Sequence, residues 1–360
     1  MNKNYYCIIM AGGAGSRFWP MSRTNFPKQF LDILGTGKTL IQQTYDRYAK
    51  LVPKENIYII TAEDYTGIVK KQIPDIAEEN ILAEPSRKNT APCIAYIAFK
   101  LINKDPKALM IAAPSDNLIL ETDDFIKTAK KAFSFVDHIN ALVTIGVKPT
   151  YPNTGYGYIQ HDTAEAAPDV YKVKTFTEKP NVELAKAFIS SGDFLWNAGI
   201  FTWKVKNVLT AFEKYLPEVY EVFAAEKDKF NTDKEKEAIE SIYPQCTNIS
   251  IDFGVMEKAE NVYVICSEFG WSDLGSWTSL YVNSVKDKSG NAIYGDNVLT
   301  YGTTNTLINV SGDKLLVIQG LKDYIVVETD NVLLICSKEN EHEIKNYHND
   351  VINDKGDRFT

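Results

Sequence analysis

Short apolar segments alternate with amphipathic ones along the chain from residue 5 to about residue 145. The apolar segments have the length of buried strands, and the amphipathic segments have hydrophobic positions at helical spacing. This alternation is typical of the α/β class, in which helices cover both faces of a mostly parallel sheet. The clearest predicted strands are 5–10, 57–61, 109–112 and 142–145, and the clearest predicted helices are 40–51, 90–101 and 123–138.

The alternation is lost between residues 151 and 203, where Gly, Asn, Tyr and Trp are frequent. We expect a substrate-binding lobe of loops and antiparallel strands there, because binding residues commonly lie on loops. The charged stretch 226–240 predicts a solvated helical face. Ser250 is a candidate cap for a short helix ending near residue 258, and 262–267 predicts a returning strand.

Short β-branched segments dominate the chain after residue 277 and begin near residues 298, 306, 315, 324 and 332. Turn residues separate them, which predicts a small β-solenoid or a compact β-domain. A charged terminal helix is expected over 339–347. Polar and small residues cluster over 285–297, so we predict two domains, 1–285 and 286–360.

Composition limits the partners and the compartment. The 360 residues are 44% hydrophobic and 24% charged with a net charge of −8, so we expect no nucleic-acid or anionic membrane partner. We see no signal peptide and no apolar run near the roughly 20 residues of a membrane span. The five cysteines are odd in number and widely spaced, which predicts small buried side chains in a reducing cytoplasm.

A glycine-rich stretch, Met10-Ala-Gly-Gly-Ala-Gly-Ser-Arg-Phe-Trp-Pro20, directly follows the first predicted strand. Glycines tolerate φ > 0 and let successive N–H groups approach phosphate oxygens, while nearby basic side chains add charge. The alternative is a surface turn with solvated basic residues. The candidate phosphate-binding residues are Gly12, Gly13, Gly15, Ser16, Arg17 and Lys28.

Two better-known glycine motifs do not fit this chain. In a dinucleotide-binding fingerprint Phe18 would stand where a third glycine is needed for close helix–strand packing. The P-loop-like run Gly35-Thr-Gly-Lys-Thr39 has Asp32 where its first glycine should be. We therefore interpret that run as a turn.

Two aspartates follow predicted strands, Asp116 in Pro114-Ser-Asp116 and Asp273 in Trp271-Ser-Asp273. Each alone is most simply a turn or cap residue. Beside a phosphate-binding loop, however, two carboxylates are the ligands that Mg²⁺ prefers when it also contacts phosphates. We predict that Asp116 and Asp273 bind Mg²⁺.

A third candidate group lies in Glu84-Pro-Ser-Arg-Lys-Asn-Thr-Ala-Pro92. Guanine presents an N1–H and a 2-amino group as adjacent hydrogen-bond donors. One carboxylate, such as that of Glu84, can accept hydrogen bonds from both. Asn89 has the donor and acceptor to address a carbonyl edge. Thr90 joins them as a candidate nucleotide-binding residue, the alternative being a helix N-cap.

A fourth group combines Glu178-Lys179-Pro180 with Gly157 and Asn197. Glu178, Asn197 and the Gly157 backbone can bond sugar hydroxyls, and Lys179 can hold a sugar phosphate. The alternative is a surface Glu–Lys pair beside an aromatic core strand.

Together these segments resemble the mannose-1-phosphate guanylyltransferases, or GDP-mannose pyrophosphorylases, from about residue 5 to 278. The motifs that carry the resemblance are Ala11-Gly-Gly-Ala-Gly-Ser-Arg17, Pro27-Lys-Gln-Phe30, Asn89-Thr-Ala-Pro92, Pro114-Ser-Asp116, Gly155-Tyr-Gly-Tyr158, Glu178-Lys-Pro180, Trp196-Asn-Ala-Gly199, Ile251-Asp-Phe-Gly-Val-Met-Glu-Lys258 and Trp271-Ser-Asp-Leu-Gly-Ser-Trp277. The resemblance implies a Rossmann-like nucleotidyltransferase domain, Mg²⁺ dependence and a C-terminal left-handed β-helix often used in oligomer contacts. We accordingly expect a homodimer.

The implied reaction joins GTP and mannose 1-phosphate into GDP-mannose and diphosphate, with Arg17 and Lys28 as catalytic residues. Two alternatives stay open. The chain could act on another hexose 1-phosphate such as glucose 1-phosphate, or it could be a catalytically silent regulatory subunit that binds sugar nucleotides.

Three departures from the family pattern stand out. Asn117 replaces the histidine that usually follows Pro-Ser-Asp, and Phe253 replaces a tyrosine. The chain also ends where bifunctional relatives continue into a phosphomannose isomerase domain, so isomerase activity is not expected.

Overall fold

The computed structural model describes residues 2–13 and 15–360, with the backbone alone for Ser16. The chain forms two compact units. The first comprises 2–12, 44–115 and 119–271, and the second comprises the described residues of 13–43, 116–118 and 272–360. The two-residue strands Leu118–Ile119 and Trp271–Ser272 carry the chain from one unit to the other. The domain boundary near residue 285 stays a prediction.

A sheet of nine strands, counted over the described residues, is the centre of the first unit. In chain order its strands are β1 (Tyr5–Met10), β2 (Ile57–Ala62), β3 (Ile81–Glu84), β4 (Leu109–Pro114), β5 (Leu142–Val147), β6 (Gly157–Ala167), β7 (Val170–Glu178), β8 (Phe194–Lys204) and β9 (Val262–Ser267). Their spatial order is β3-β2-β1-β4-β8-β5-β9-β7-β6.

Strands β3, β2, β1 and β4 run parallel, as do β5 and β9, which confirms the predicted α/β fold with parallel strands. The lobe expected from 151 to 203 contributes the antiparallel strands. Strand β8 enters the sheet between β4 and β5 and pairs antiparallel with both, and β6 and β7 form an antiparallel pair at the sheet's edge. The inserted β8 was not predicted, because strand order depends on non-local pairing.

Most predicted helices are present. In chain order the helices are α1 (Leu40–Tyr48), α2 (Thr66–Gln72), α3 (Thr90–Lys104), α4 (Thr122–His138), α5 (Val182–Ser191), α6 (Val205–Tyr215), α7 (Pro217–Ala225), α8 (Glu235–Ile242), α9 (Trp277–Asn283) and α10 (Ile344–Lys355). Shorter helical segments are the 3-10 turns Ser16–Phe18, Lys28–Phe30, Lys54–Asn56, Glu63–Tyr65, Glu78–Asn80, Lys227–Lys229, Tyr243–Gln245, Lys338–Glu343 and Asp357–Phe359 and the π-helical Asp252–Met256.

The prediction that the charged stretch 226–240 forms one helical face is wrong, because the segment is not continuously helical. Asn231 adopts a φ of +64°, and its N–H donates to Glu235 Oε2 at 2.6 Å, so the chain turns before α8 begins. The expected short helix after Ser250 is the π-helical segment Asp252–Met256, and Ser250 Oγ accepts from the N–H of Phe253 at 3.3 Å.

The second unit contains a short parallel β-helix. Its strands are β10 (Ala292–Tyr294), β11 (Val298–Tyr301), β12 (Leu307–Val310), β13 (Leu316–Gln319) and β14 (Tyr324–Glu328), and a last strand, β15 (Leu333–Ser337), pairs antiparallel with β14. Strands β10, β12 and β14 pair in parallel on one side, and β11 pairs with β13 on another. Apolar side chains of Ile308, Val310 and Val326 fill its interior. This confirms the solenoid; its left-handedness stays a prediction.

Two aromatic residues at the end of the glycine-rich stretch, Phe18 and Trp19, belong to the core of the second unit. Phe18 and Trp277 pack with ring centroids 4.8 Å apart, and Trp277 Nε1 donates to the Trp19 carbonyl at 3.3 Å. Trp19 Nε1 in turn donates to the Phe359 carbonyl at 2.8 Å. Phe18 therefore serves packing, which explains why no glycine stands there.

Among the described residues, no helix has both the length and the apolar character required to span a bilayer.

Gly146, in the interior strand β5, has no room for a side chain. A Cβ there would lie 2.7 Å from Leu195 Cδ1 and 2.7 Å from Val264 Cγ2. We expect Gly146→Ala to lower the free energy of unfolding by about 1–3 kcal/mol through overpacking. Urea unfolding followed by circular dichroism measures this.

Gly67 in α2 is the matched control, because a Cβ there meets nothing within 4 Å. Gly67→Ala should stabilise the protein by about 0.4–1 kcal/mol by reducing the entropy of the unfolded chain. Equal effects at the two glycines would contradict the close packing around β5.

Candidate active site

The glycine-rich stretch and Asp116 both follow adjacent parallel strands. Met10, the last residue of β1, is in register with Pro114, the last residue of β4, and the Ser115 N–H donates to the Met10 carbonyl at 3.0 Å. Ligands of open α/β sheets bind at such carboxyl ends. The fold thus starts the predicted phosphate-binding stretch and the segment of the predicted metal ligand Asp116 at neighbouring strand ends.

In the second unit, the glycine-rich stretch packs against the turn that contains Lys28. Gly15 has a φ of +63°, and a Cβ there would lie 2.8 Å from Lys28 Cβ and 2.9 Å from Lys28 N. Gln29 Nε2 also donates to the Gly13 carbonyl at 2.9 Å. Gly15 is therefore required both for its backbone conformation and for this close approach.

The Lys28 ammonium group is buried at the centre of this arrangement. The residue is 4% exposed, and Nζ donates to Asp116 Oδ2 at 3.0 Å and to the Asp273 carbonyl at 2.7 Å. Nζ also lies 5.5 Å from the centroid of the Phe18 ring. Burying a charge is costly unless it is paired, and the Asp116 carboxylate is the ion-pair partner of the buried Lys28 side chain.

Both predicted metal ligands contact this ammonium group, Asp116 through its carboxylate and Asp273 through its backbone carbonyl. The Asp116 side chain is 33% exposed, and Asp273 Oδ1 accepts from the Gly275 N–H at 2.8 Å. A Cβ at Gly275 would lie 2.4 Å from Asp273 Oδ2, so glycine is needed for this contact.

The described residues contain no cluster of three or more His, Cys, Asp or Glu side chains arranged to hold a metal ion by themselves. Mg²⁺, however, is commonly held by one or two carboxylates together with substrate phosphates. Binding of Mg²⁺ by Asp116 and Asp273 together with a phosphate ligand therefore stays a prediction.

Arg17 and Ser16 are two further predicted phosphate-binding residues. Arg17 is exposed in the 3-10 turn Ser16–Phe18. The side chain of Ser16, which is predicted to bind phosphate, lies outside the described part of the chain.

In the first unit, Glu84 forms a buried carboxylate site at the end of β3. It is 7% exposed, and Oε1 accepts a hydrogen bond from the phenol of Tyr243, a residue that the sequence did not single out. A Cβ at Gly12 would lie 2.8 Å from Glu84 Oε2. Burial raises the Glu84 pKa to about 7, against the lowering effects of the Tyr243 hydrogen bond and the Arg87 charge.

Thr90 is not the N-cap of α3. The N-cap is Asn89, whose φ is +67° and whose side chain accepts from the Thr90 N–H at 2.9 Å. Thr90 Oγ1 instead accepts from the Ile251 N–H at 2.9 Å. The capping interpretation of Thr90 was wrong because Asn tolerates a positive φ and caps well, and the two residues are adjacent.

The predicted sugar-binding residues also lie in the first unit. Gly157 and Glu178 are cross-strand partners, and a Cβ at Gly157 would lie 2.2 Å from Glu178 Oε1 and 3.5 Å from Asn197 Cβ. Lys179 Nζ lies 3.4 Å from Glu178 Oε2 and its side chain is 61% exposed. The side chains of Glu178 and Asn197 therefore lie against the Gly157 backbone, and the Lys179 ammonium group lies beside Glu178.

Asp252 belongs to the same cluster and was missed from the sequence. Asn197 Nδ2 donates to Asp252 Oδ1 at 2.8 Å, while Asn197 Oδ1 accepts from the Gly199 N–H and from Thr144 Oγ1, both at 3.1 Å. Burial and the Glu178 charge raise the Asp252 pKa to about 6. The available signal was a carboxylate inside the apolar run Ile251-Asp-Phe-Gly-Val-Met256, a pattern that often marks a functional acid.

The family model described as nucleotidyl transferase matches residues 6–290. A mannose-1-phosphate guanylyltransferase of Escherichia coli is 34% identical over 347 residues, which cover 94% of this chain and 74% of the relative.

Two solved structures are also similar. A Thermus thermophilus protein described as mannose-1-phosphate geranyltransferase superposes with a TM-score of 0.86 at 28% identity, over 97% of this chain and 99% of that one. A Helicobacter pylori protein described as mannose-6-phosphate isomerase has a TM-score of 0.60 at 26% identity, over 75% of this chain and 99% of that one.

The raised pKa of Asp252 predicts a pH-dependent cost to stability. Its folded-state pKa of about 6 lies above the ordinary 3.8. Proton binding by Asp252 therefore favours the folded state at low pH, and this contribution is lost as pH rises through about 6. Asp252→Asn should raise the free energy of unfolding by about 1–3 kcal/mol at pH 8 and by less at pH 5.

Urea unfolding at both pH values measures the effect. The exposed Asp228 provides the control, since Asp228→Asn should change stability by less than about 0.5 kcal/mol at either pH. If Asp252→Asn destabilised the protein more at pH 8 than at pH 5, the buried carboxylate would not carry the cost assigned to it.

Proposed function

We propose that this chain, which belongs to the mannose-1-phosphate guanylyltransferase family of nucleotidyl transferases, transfers the guanylyl group of GTP to mannose 1-phosphate. The products are GDP-mannose and diphosphate. The observation that carries the proposal is the buried Lys28 ammonium, held by the Asp116 carboxylate and the Asp273 carbonyl beside the Gly15 turn. A guanylyltransferase needs this kind of arrangement, in which fixed cations and anions lie where a triphosphate reacts.

The reaction requires no nucleophile from the protein. A phosphate oxygen of mannose 1-phosphate attacks the α-phosphorus of GTP, the new P–O bond forms in line, and the bond to diphosphate breaks. Catalysis then consists of positioning the two phosphates and neutralising charge in the transition state.

Lys28 neutralises charge on the transferring phosphate, and Arg17 binds the leaving diphosphate. The N–H groups of Gly12, Gly13, Gly15 and Ser16 bind phosphate oxygens. Lys28 is suited to its role because its surroundings hold the ammonium in place before substrate binds, so little reorganisation is required.

Nucleotidyltransferases generally use a divalent metal ion, and we propose Mg²⁺ held by Asp116 and Asp273. The bound ion supplies positive charge to phosphate oxygens. Asp116 is partly exposed, so it can bind the ion while its other contact keeps Lys28 in place.

In the first unit, the Glu84 carboxylate accepts hydrogen bonds from the N1–H and the 2-amino group of guanine. Asn89 and Thr90 also contribute to the nucleotide site. Glu178, Asn197 and the Gly157 backbone bind sugar hydroxyls, and Lys179 binds the sugar phosphate. We add Asp252 to this set because its carboxylate bonds Asn197 directly and lies next to Glu178. Two neighbouring, partly buried carboxylates suit a ligand rich in hydroxyl donors.

We also propose that the chain forms a homodimer. The outer face of β11 and β13 exposes apolar side chains, among them Leu299, Tyr301 and Val317, and Leu299 is in register with Val317. A cytoplasmic location is an expectation from the sequence alone.

Two alternatives remain distinct from this proposal. The sugar could be another hexose 1-phosphate such as glucose 1-phosphate, since one hydroxyl's configuration depends on fine side-chain placement. The chain could also be a regulatory subunit without activity, but a buried lysine held by an acidic partner is a costly feature to keep without catalysis.

The direct test is release of diphosphate on mixing the protein with Mg²⁺, GTP and mannose 1-phosphate. We expect turnover with this pair to exceed turnover with ATP, UTP or glucose 1-phosphate. Mannose 6-phosphate, the substrate in the name of the Helicobacter pylori protein, should be inert. Binding of GDP-mannose without any turnover would favour the regulatory subunit instead.

The role of Lys28 has its own test. Lys28→Ala should reduce kcat by about 10²–10³-fold, because a preorganised charge at the transferring phosphate is lost. The KM for mannose 1-phosphate should change little.

Lys179→Ala is the matched comparison and should mainly raise the KM for mannose 1-phosphate. Steady-state kinetics of both variants separate the two roles. Near-normal kcat in Lys28→Ala would show that Lys28 is not catalytic.

A further inference from the structure

We propose that Tyr243 is the positioning residue that sets Glu84 for guanine and thereby determines the preference for guanine nucleotides. This inference rests on the proposed function, because it takes Glu84 as the residue that binds the base. Tyr243 itself does not contact the nucleotide in this proposal. It acts through the carboxylate.

Tyr243 is well placed to hold Glu84 rigidly. The tyrosine is fully buried at the start of the 3-10 turn Tyr243–Gln245, and its ring packs edge-on against Phe223 with centroids 6.2 Å apart. Its phenol donates to Glu84 Oε1. A hydrogen bond from a buried phenol to a carboxylate is charge-assisted and therefore stronger than a neutral one.

The other carboxylate oxygen is limited by Gly12. Its backbone approaches Glu84 Oε2 so closely that a Cβ at Gly12 would lie 2.8 Å from that oxygen. Glu84 is thus bounded by the Gly12 backbone on one side and by the Tyr243 phenol on the other. Both contacts together define the plane in which the carboxylate can meet a base.

Guanine recognition depends on that plane and on the charge of Glu84. The N1–H and 2-amino groups are both donors, so they need an ionised carboxylate whose oxygens face them together. Inosine keeps the N1–H and lacks the 2-amino group. An ionised, correctly oriented Glu84 should therefore favour GTP over inosine triphosphate (ITP).

Titration of Glu84 offers an independent readout. The groups that face it are Tyr243 from the 3-10 turn, Arg87 from the loop after β3, and Cys93 from α3. The Tyr243 hydrogen bond and the Arg87 charge lower the Glu84 pKa, and burial raises it to about 7. Without the phenol one lowering effect is lost, so Glu84 should stay protonated to a higher pH.

Tyr243→Phe tests the inference, with Tyr48→Phe as the matched control. Tyr48 is equally buried, and its hydroxyl has no hydrogen-bond partner among the described residues. Calorimetric affinities and kcat/KM for GTP and ITP are measured from pH 6 to 9. Thermal melting of all variants reports any loss of folding.

In the wild type we expect the GTP affinity and kcat/KM to rise with pH through about 7, as Glu84 loses its proton. Tyr243→Phe should move this rise to higher pH and lower the GTP-to-ITP ratio about 10-fold. Tyr48→Phe should change neither. A Tyr243 with only a packing role would affect melting temperature and leave the pH profile and the ratio unchanged.

Replacing Tyr243 by 3-fluorotyrosine covers the case in which Tyr243→Phe does not fold. This phenol has almost the same shape and donates more strongly, so the rise should move to lower pH. An unmoved profile in the fluorinated protein, or an unchanged ratio in folded Tyr243→Phe, overturns the inference.

Failure of the proposed function gives a different result. A wild type that binds GTP over ITP, loses this preference in Tyr243→Phe and yet releases no diphosphate would support the role of Tyr243 and contradict the reaction. A wild type that binds GTP and ITP equally would contradict both the guanine site and the inference.

Discussion

The buried ammonium group of Lys28 is the constraint on which the second unit depends. A charge removed from water must find a compensating partner, and Lys28 finds the Asp116 carboxylate and the Asp273 carbonyl. These partners are 88 and 245 residues away along the chain. The need to pair one cation thus joins three distant segments of the second unit, and the same contacts hold the ammonium group in place.

In the first unit, the groups removed from water are carboxylates and not a cation. Glu84 is buried and Asp252 partly buried, and desolvation raises the pKa of each carboxyl group, to about 7 and about 6. Each accepts a hydrogen bond from a neutral side-chain donor, Glu84 from Tyr243 and Asp252 from Asn197, which orients the group without cancelling its charge. Such groups destabilise a fold at neutral pH and are therefore typical of ligand-binding sites.

Much of the fold could be predicted because its signals are local. β1 and β9 have the predicted bounds, and the short β-branched segments after residue 277 form the strands of the β-helix. The family was also evident from its motifs. The prediction of a helical face over 226–240 failed where a single backbone angle interrupts the helical pattern, at Asn231. The alternative interpretation of Thr90 as the cap of α3 was also wrong, because the adjacent Asn89 caps that helix.

The sequence by itself determined the family, the periodicity of the strands and helices, and the chemical groups available to bind phosphates, a base and a sugar. Only the tertiary structure decided which groups are buried and which partner each one meets. Tyr243 and Glu84 are 159 residues apart, and Asn197 and Asp252 are 55 apart, so no local pattern connects them. A carboxylate's charge and orientation depend on its desolvation and its hydrogen-bond donors, and both arise from packing between segments distant in the chain.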